Sequence, residues 1–215
     1  ARLADAPFVT VDTEFMRENT YYPELCLIQI ADTEEAAAID PKAPGLDMAP
    51  LLELLVDNDD VLKVFHAGGQ DIEIIHNLTG KTPHPLFDTQ VAAMALGQGE
   101  QIGYSNLVDS WLGVQVDKGA RFTDWSRRPL DKRQIDYAIG DVTHLAKIFP
   151  MMLDKLVKAR KVSIREDIAM DAAKALQVHI DRINASLGGK ARWSQSSRGQ
   201  MRQEEPIRVA ACGAA

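Results

Sequence analysis

The chain has 215 residues, 46% hydrophobic and 26% charged, an ordinary globular composition with apolar material for one sizeable core and a small appendage. Its formal net charge of -7 argues against a protein that holds nucleic acid by bulk electrostatics, and no apolar stretch approaches the roughly 20 residues of a membrane-spanning helix. Two cysteines far apart, Cys26 and Cys212, speak against a disulfide framework and for a reducing, cytoplasmic setting. The chain starts at Ala1 and shows no secretion signal, and its beginning reads as trimmed.

In chain order, Phe8 to Phe15 alternates as a strand, with Val9, Val11, Thr13 and Phe15 on one face. Leu25 to Ala31 and Ala36 to Asp40 are β-type runs joined by the short turn Asp32 to Glu35, which favours antiparallel pairing. Leu46 to Val56 has helical spacing, and Val61 to Phe65 reads as a fourth strand. Gly68 and Gly69 precede a helix that stops at Gly80. Thr82 to Phe87 reads as a loop or short strand, and Asp88 as the N-cap of a helix through Leu96. Tyr104 to Leu112 is helical, Val114 to Leu130 irregular, and Asp131 to about Lys161 a long helical pattern that Pro150 kinks or divides. The order implies an α/β fold, a mixed β-sheet flanked by helices. The expected domain covers residues 1–161. Residues 162–215 read as one more amphipathic helix, Glu166 to Ile183, followed by a flexible tail rich in Gly, Ser, Gln and Arg.

Charge is unevenly spread. Lys118, Arg121, Arg127, Arg128, Lys132 and Arg133 cluster mid-chain, and Lys155, Lys158, Arg160, Lys161 and Arg165 form a second run. A solvated helix face is the plain reading of such runs and explains the second equally well. A carboxylate site that binds divalent cations lowers the formal charge without repelling a phosphate chain.

The informative segment is Val11-Asp12-Thr13-Glu14-Phe15. Asp12 and Glu14, two apart on a strand, point to the same face. Paired carboxylates near a core are costly unless something positive lies between them, and a hard divalent cation prefers oxygen ligands. An acidic surface edge fits the same spacing. In His66-Ala67-Gly68-Gly69-Gln70-Asp71 a strand ends in a Gly-rich turn, and Asp71 enters a helix as a cap or as a carboxylate facing the first strand. Tyr137 and Asp141, four apart on a helix, share a face.

Together these segments resemble the DEDD exonuclease superfamily and, within it, the ribonuclease D family. Phe87-Asp88-Thr89-Gln90 and Asp124-Trp125-Ser126-Arg127-Arg128-Pro129-Leu130 add to the resemblance, which covers roughly residues 5 to 160. It implies a ribonuclease H-like fold. Some relatives place a His five residues before the last Asp, others a Tyr four before it. Here Asp136 and Tyr137 stand at those positions, so the chain resembles the tyrosine subclass.

The resemblance implies a 3′–5′ exonuclease in which Asp12, Glu14, Asp71 and Asp141 hold two divalent cations, Mg²⁺ or Mn²⁺, while Tyr137 orients the attacking water. The expected product is nucleoside 5′-monophosphate from RNA 3′ ends, with tRNA processing or RNA turnover as the role and single-stranded RNA 3′ ends, tRNA precursors among them, as the partner. Candidate substrate contacts are Phe15, as a base wedge, His66 and Gln70 beside Asp71, and Arg127 or Arg128 on phosphate. Phe15 and Trp125 also fit as core residues, His66 as a structural histidine, and His144 shares the face of Tyr137 without an assigned role. The family carries helical nucleic-acid-binding domains after the nuclease, and too little chain remains here for one. A DNA 3′–5′ exonuclease and an inactive fold kept as an RNA-binding module are the alternatives. The second is disfavoured because all four carboxylates and the tyrosine are present.

Overall fold

Residues 2–17, 21–117, 119–159 and 208–212 are described by the computed structural model. Strand β1 (Phe8–Met16) sits inside a six-stranded sheet, and its alternation sorts its side chains between two cores. Val9 and Val11 are sealed with Leu54, Leu55 and Ile75 under helices α1 (Ala49–Val56) and α2 (Gly69–Thr79). Phe8 faces the opposite side, which is covered by α3 (Thr89–Ala95), α4 (Tyr104–Leu112) and α5 (Lys132–Ala159). That two-sided burial makes the sheet the middle layer of three.

Strands β2 (Glu24–Ala31) and β3 (Glu35–Ile39) pair antiparallel through the short turn, as expected, and β1 pairs antiparallel with β2. β4 (Leu62–Phe65), buried at every residue, runs parallel to β1, and β5 (Leu86–Asp88) runs parallel to β4. Because β1 and β4 are parallel, their carboxyl ends open on the same edge of the sheet. A bulge opposite Glu14 and Phe15 shifts the β1–β2 register, so that Glu14 faces Leu27 and Phe15 faces Leu25. Such bulges re-aim side chains at a sheet edge.

Four details differ from the sequence reading. Helix α1 begins at Ala49 rather than Leu46, because Pro50 is tolerated in a first helical turn but not further in. Pro150 does not divide α5, since Ile148, Phe149, Met152 and Leu153 on either side of it are buried in one core. Asp131 caps α5 instead of opening it. Its Oδ1 accepts from the Gln134 amide N–H at 2.8 Å, and the Gln134 side chain accepts from the Asp131 N–H at 3.0 Å. Finally, Arg208–Cys212 forms β6, parallel to β3 at the sheet edge, where a trailing end was expected. The sheet order is β5-β4-β1-β2-β3-β6. The expected helix at Glu166 to Ile183 lies outside the described residues. Among those described, no helix is long and apolar enough to cross a membrane.

Candidate active site

At the shared carboxyl edge of β1 and β4 lies a cavity of about 510 Å³, lined by residues of β1, the turn after β4, α2, α4, α5 and the loop before α5. β1 presents Asp12 and Glu14 on the α5 side, and α5 returns Asp141 to meet them. One carboxylate oxygen from each of the three lies within 4.8 Å of the others. Asp141 is 7% exposed, and its Oδ1 is buried without a hydrogen-bond partner among the described residues.

Asp71 reaches the cavity from the other face of the sheet. It opens α2, and its Oδ1 accepts the Thr13 hydroxyl at 2.5 Å. It lies outside the tight group of three, yet of the charges around Asp12 it is the one that raises that carboxyl most. The turn that delivers it is held in an unusual shape. Ala67 adopts φ +55, and a Cβ on Gly68 would stand 2.6 Å from that of Phe65, so only glycine fits there. Asp88 pins this turn by accepting from the Ala67 and Gly68 N–H groups at 3.1 and 3.0 Å while capping α3 through Gln90. A strained turn beside converging carboxylates marks a functional site more often than a structural one.

The electrostatics are frustrated. Burial first, and then the charges of Asp71, Asp141 and Glu14, raise Asp12 well above the carboxylate range. Burial followed by Asp141 and Asp71 pushes Glu14 up to about 9, with Arg121 opposing. Asp141 is pushed up to about 7 by burial, against a hydrogen bond from Tyr137 and the charge of Arg121. Asp71 is raised by burial and held back by the Thr13 hydroxyl. Burial and the neighbouring carboxylates also raise Tyr137, so its phenol keeps its proton and donates to Asp141. A buried group of carboxylates, one of whose oxygens is orphaned, fits hard divalent cations, which take oxygen ligands and would remove the mutual repulsion.

The remaining sequence candidates divide. Phe15 is half-buried and Gln70 exposed, and both line the cavity. His66 lines it too, but both ring nitrogens are engaged. Nε2 donates to the Ile102 carbonyl at 3.1 Å, and Nδ1 lies 3.0 Å from the Thr89 hydroxyl. With burial holding its pKa low, His66 braces the turn and α3 instead of offering a free nitrogen to substrate. Arg127 and Arg128 do not line the cavity. Arg128 is consumed structurally: it forks onto Asp40 with two hydrogen bonds of 2.6 Å and also donates to the Cys26, Trp125 and Arg127 carbonyls. Trp125 is buried at 2% exposure, 6.2 Å from the Tyr137 ring, and serves as a wall. His144 is not among the lining residues.

Arg121, Tyr104 and Gln90 are among the lining residues to which the sequence reading gave no site role. Arg121 brings the cation that faces Glu14 and Asp141. It was visible only as one member of the mid-chain basic cluster. Tyr104, at the start of α4, donates its hydroxyl proton to the Asp141 carbonyl at 2.6 Å, with the Gly140 carbonyl 3.0 Å away, and so fixes the height of α5. Gln90 follows the Asp88 cap and donates to the Ile102 carbonyl at 3.0 Å.

Comparison with known proteins agrees with this geometry. A family model described as 3′-5′ exonuclease matches residues 1–157, and the chain belongs to that family. Within it, the chain is similar to ribonuclease D of Sphingobium indicum, 80% identical over 156 residues that make up 73% of this chain and 40% of that protein. Ribonuclease D of Zymomonas mobilis is 72% identical over the same shares. The crystal structure of Escherichia coli RNase D, described as an exoribonuclease involved in structured RNA processing, matches with a TM-score of 0.70 at 35% identity, over 83% of this chain and 46% of that one. The chain thus spans about 40% of the length of the two curated relatives.

Proposed function

We propose that the chain is the catalytic portion of a 3′–5′ exoribonuclease of the ribonuclease D type, which removes nucleoside 5′-monophosphates one at a time from single-stranded RNA 3′ ends. The observation that carries this reading is the convergence of Asp12, Glu14 and Asp141 oxygens within 4.8 Å of one another, with the buried Asp141 Oδ1 unpartnered among the described residues. Asp12, Glu14, Asp141 and Asp71 would hold two divalent cations, Mg²⁺ or Mn²⁺. When bound, such a pair supplies charge stabilisation to the attacking and leaving oxygens of an in-line displacement at phosphorus.

The protein's own groups do the rest. Tyr137, protonated and bonded to Asp141, orients the attacking water at the mouth of the carboxylate group. Tyr104 holds the Asp141 backbone in place, and Thr13 holds Asp71. Phe15 borders the terminal base, Gln70 is within the cavity for the terminal sugar, and Arg121 stands where a phosphate oxygen would otherwise meet only negative charge. Maturation of tRNA 3′ ends is the role that suits such an activity, and the free, buried Cys26 suits a reducing cytoplasmic setting.

The test is a time course on matched end-labelled RNA and DNA single strands with Mg²⁺, Mn²⁺ or chelator, with Asp12→Ala beside the wild type. Stepwise release from the RNA 3′ end, lost with chelator and with the substitution, is the expected result. Equal or faster digestion of DNA would replace the RNA reading with a DNA exonuclease. An absence of metal-dependent cleavage on both strands would leave a binding module.

A further inference from the structure

Phe122 is 90% exposed, the highest value among the large hydrophobic side chains described. Its backbone is not loose. Thr123 bonds back to the Ala120 carbonyl through both its N–H, at 3.1 Å, and its hydroxyl, at 2.7 Å, while Gln134 of α5 donates to that hydroxyl at 3.1 Å. Ala120 on one side and Trp125 on the other are buried, so the loop is anchored on both sides of a phenyl ring that the fold leaves in water. Nothing in the packing of the described residues explains that placement.

The ring's neighbour does. The Arg121 guanidinium lies 5.3 Å from the Phe122 centroid and covers one side of the ring, and Arg121 itself lines the carboxylate cavity. The two residues therefore form a step at the cavity mouth, cation inward and bare aromatic outward. Single strands are held by such a combination, because every base has a face that stacks and every phosphate a charge that a guanidinium meets.

We propose that Phe122, backed by Arg121, stacks on the base of a nucleotide upstream of the one being removed and so holds the incoming single strand in line with the cavity. This rests on the exonuclease reading for the identity of the strand, but its test can be separated from that reading. Binding of a labelled RNA decamer to the full chain would be measured in chelator, where nothing is cleaved, for the wild type, Phe122→Ala, Phe122→Leu and Phe122→Trp. A series of decamers with one abasic nucleotide at each internal position completes the set, followed by kcat and KM in Mg²⁺.

Phe122→Ala should weaken binding and raise KM about tenfold, as loss of one stacked base does, with kcat unmoved. Phe122→Trp should restore affinity and Phe122→Leu should not, which a merely apolar or structural role would fail to distinguish. One internal abasic position should weaken the wild type by the same factor and add nothing to Phe122→Ala. Wild-type affinity in Phe122→Ala, rescue by leucine, or the lack of any non-additive abasic position would each overturn the proposal. If the wild type cleaved nothing, the exonuclease reading would fall, while the binding series would still decide whether Phe122 stacks.

Discussion

The same sheet buries charge on both of its faces, and it treats the two cases in opposite ways. On the α1–α2 face, Lys63 of β4 is fully buried, and its ammonium donates to the Asn58 and His84 carbonyls, the latter at 2.6 Å. On the α5 face, Asp12, Glu14 and Asp141 have mainly each other for company, and Asp141 Oδ1 has no hydrogen-bond partner among the described residues. An interior accepts a charge whose hydrogen bonds are met and penalises one whose neighbours repel it. The lysine is thus a finished piece of structure. The carboxylates are an unfinished one, offset by Arg121 only in part and short of further positive charge among the described residues.

Breaking the unfinished site should have the largest effect and should act on activity alone. Asp12→Asn keeps the shape and removes a charge, so release of mononucleotide should fall on the order of 10²–10³-fold or more, the scale for losing one preorganised electrostatic contact. Without metal the variant should melt no lower than the wild type, because burial and the neighbouring carboxylates already hold Asp12 towards its neutral form, which the amide reproduces. A clear drop in its melting temperature would mean that Asp12 is a structural residue and would end the contrast.

Breaking the finished site should do the reverse. Lys63→Met leaves the part-buried Asn58 and His84 carbonyls short of a donor and should cost about 1 kcal/mol in urea unfolding with kcat intact. An unchanged midpoint would show that those carbonyls find other partners.

The two arginines sharpen the comparison next. Arg128→Lys cannot reproduce the planar fork onto Asp40 together with its three carbonyl contacts, and should cost about 1–3 kcal/mol of stability. Arg121→Met, at an exposed position, should stay within about 0.5 kcal/mol of the wild type in stability. Its RNA KM should rise, and KM would be read on the same preparations. Exchanged outcomes would mean that Arg128 is the phosphate contact after all.

That exchange of roles shows where the sequence was readable. Period-two alternation placed Asp12 and Glu14 on one face, period-3.6 spacing placed Tyr137 above Asp141, and the Gly-rich turn placed Asp71 at the start of a helix. Each is a local rule, and each led to the cavity. Arg121, Arg127 and Arg128 share an irregular loop in which no period says which side chain turns inward, and charge beside the aromatic Trp125 pointed to Arg127 and Arg128, whereas Arg121 is the one that lines the cavity. Tyr104 was hidden for a related reason. Its contact with Asp141 spans 37 positions and is made to a backbone carbonyl, which leaves no mark on residue type. The start of α1 was misplaced because Leu46 and Met48 satisfy helical spacing while Pro50 decides the boundary.

The last and smallest expected effect is a pH dependence that separates the two buried sites by sign. In the metal-free protein Glu14 is held at about 9 and Asp141 at about 7, against ordinary values of 4.5 and 3.8. Between the ordinary and the raised values the folded state keeps protons that the unfolded chain has released, so stability falls as pH rises from about 4 towards 9. Lys63 is held at about 8 by burial against an ordinary 10.5, so between those values the unfolded chain binds more protons and stability rises with pH. Melting curves from pH 5 to 10 should therefore decline, level off between about pH 8 and 9, and turn upward above that. Asp141→Asn should reduce the decline below about pH 7, and Lys63→Met should remove the opposing contribution above about pH 8. Mg²⁺ should raise the melting temperature more at pH 8.5 than at pH 5.5, because a cation competes with protons for the same oxygens. A metal effect equal at both pH values would place the cation elsewhere and leave the buried carboxylates as an unexplained cost.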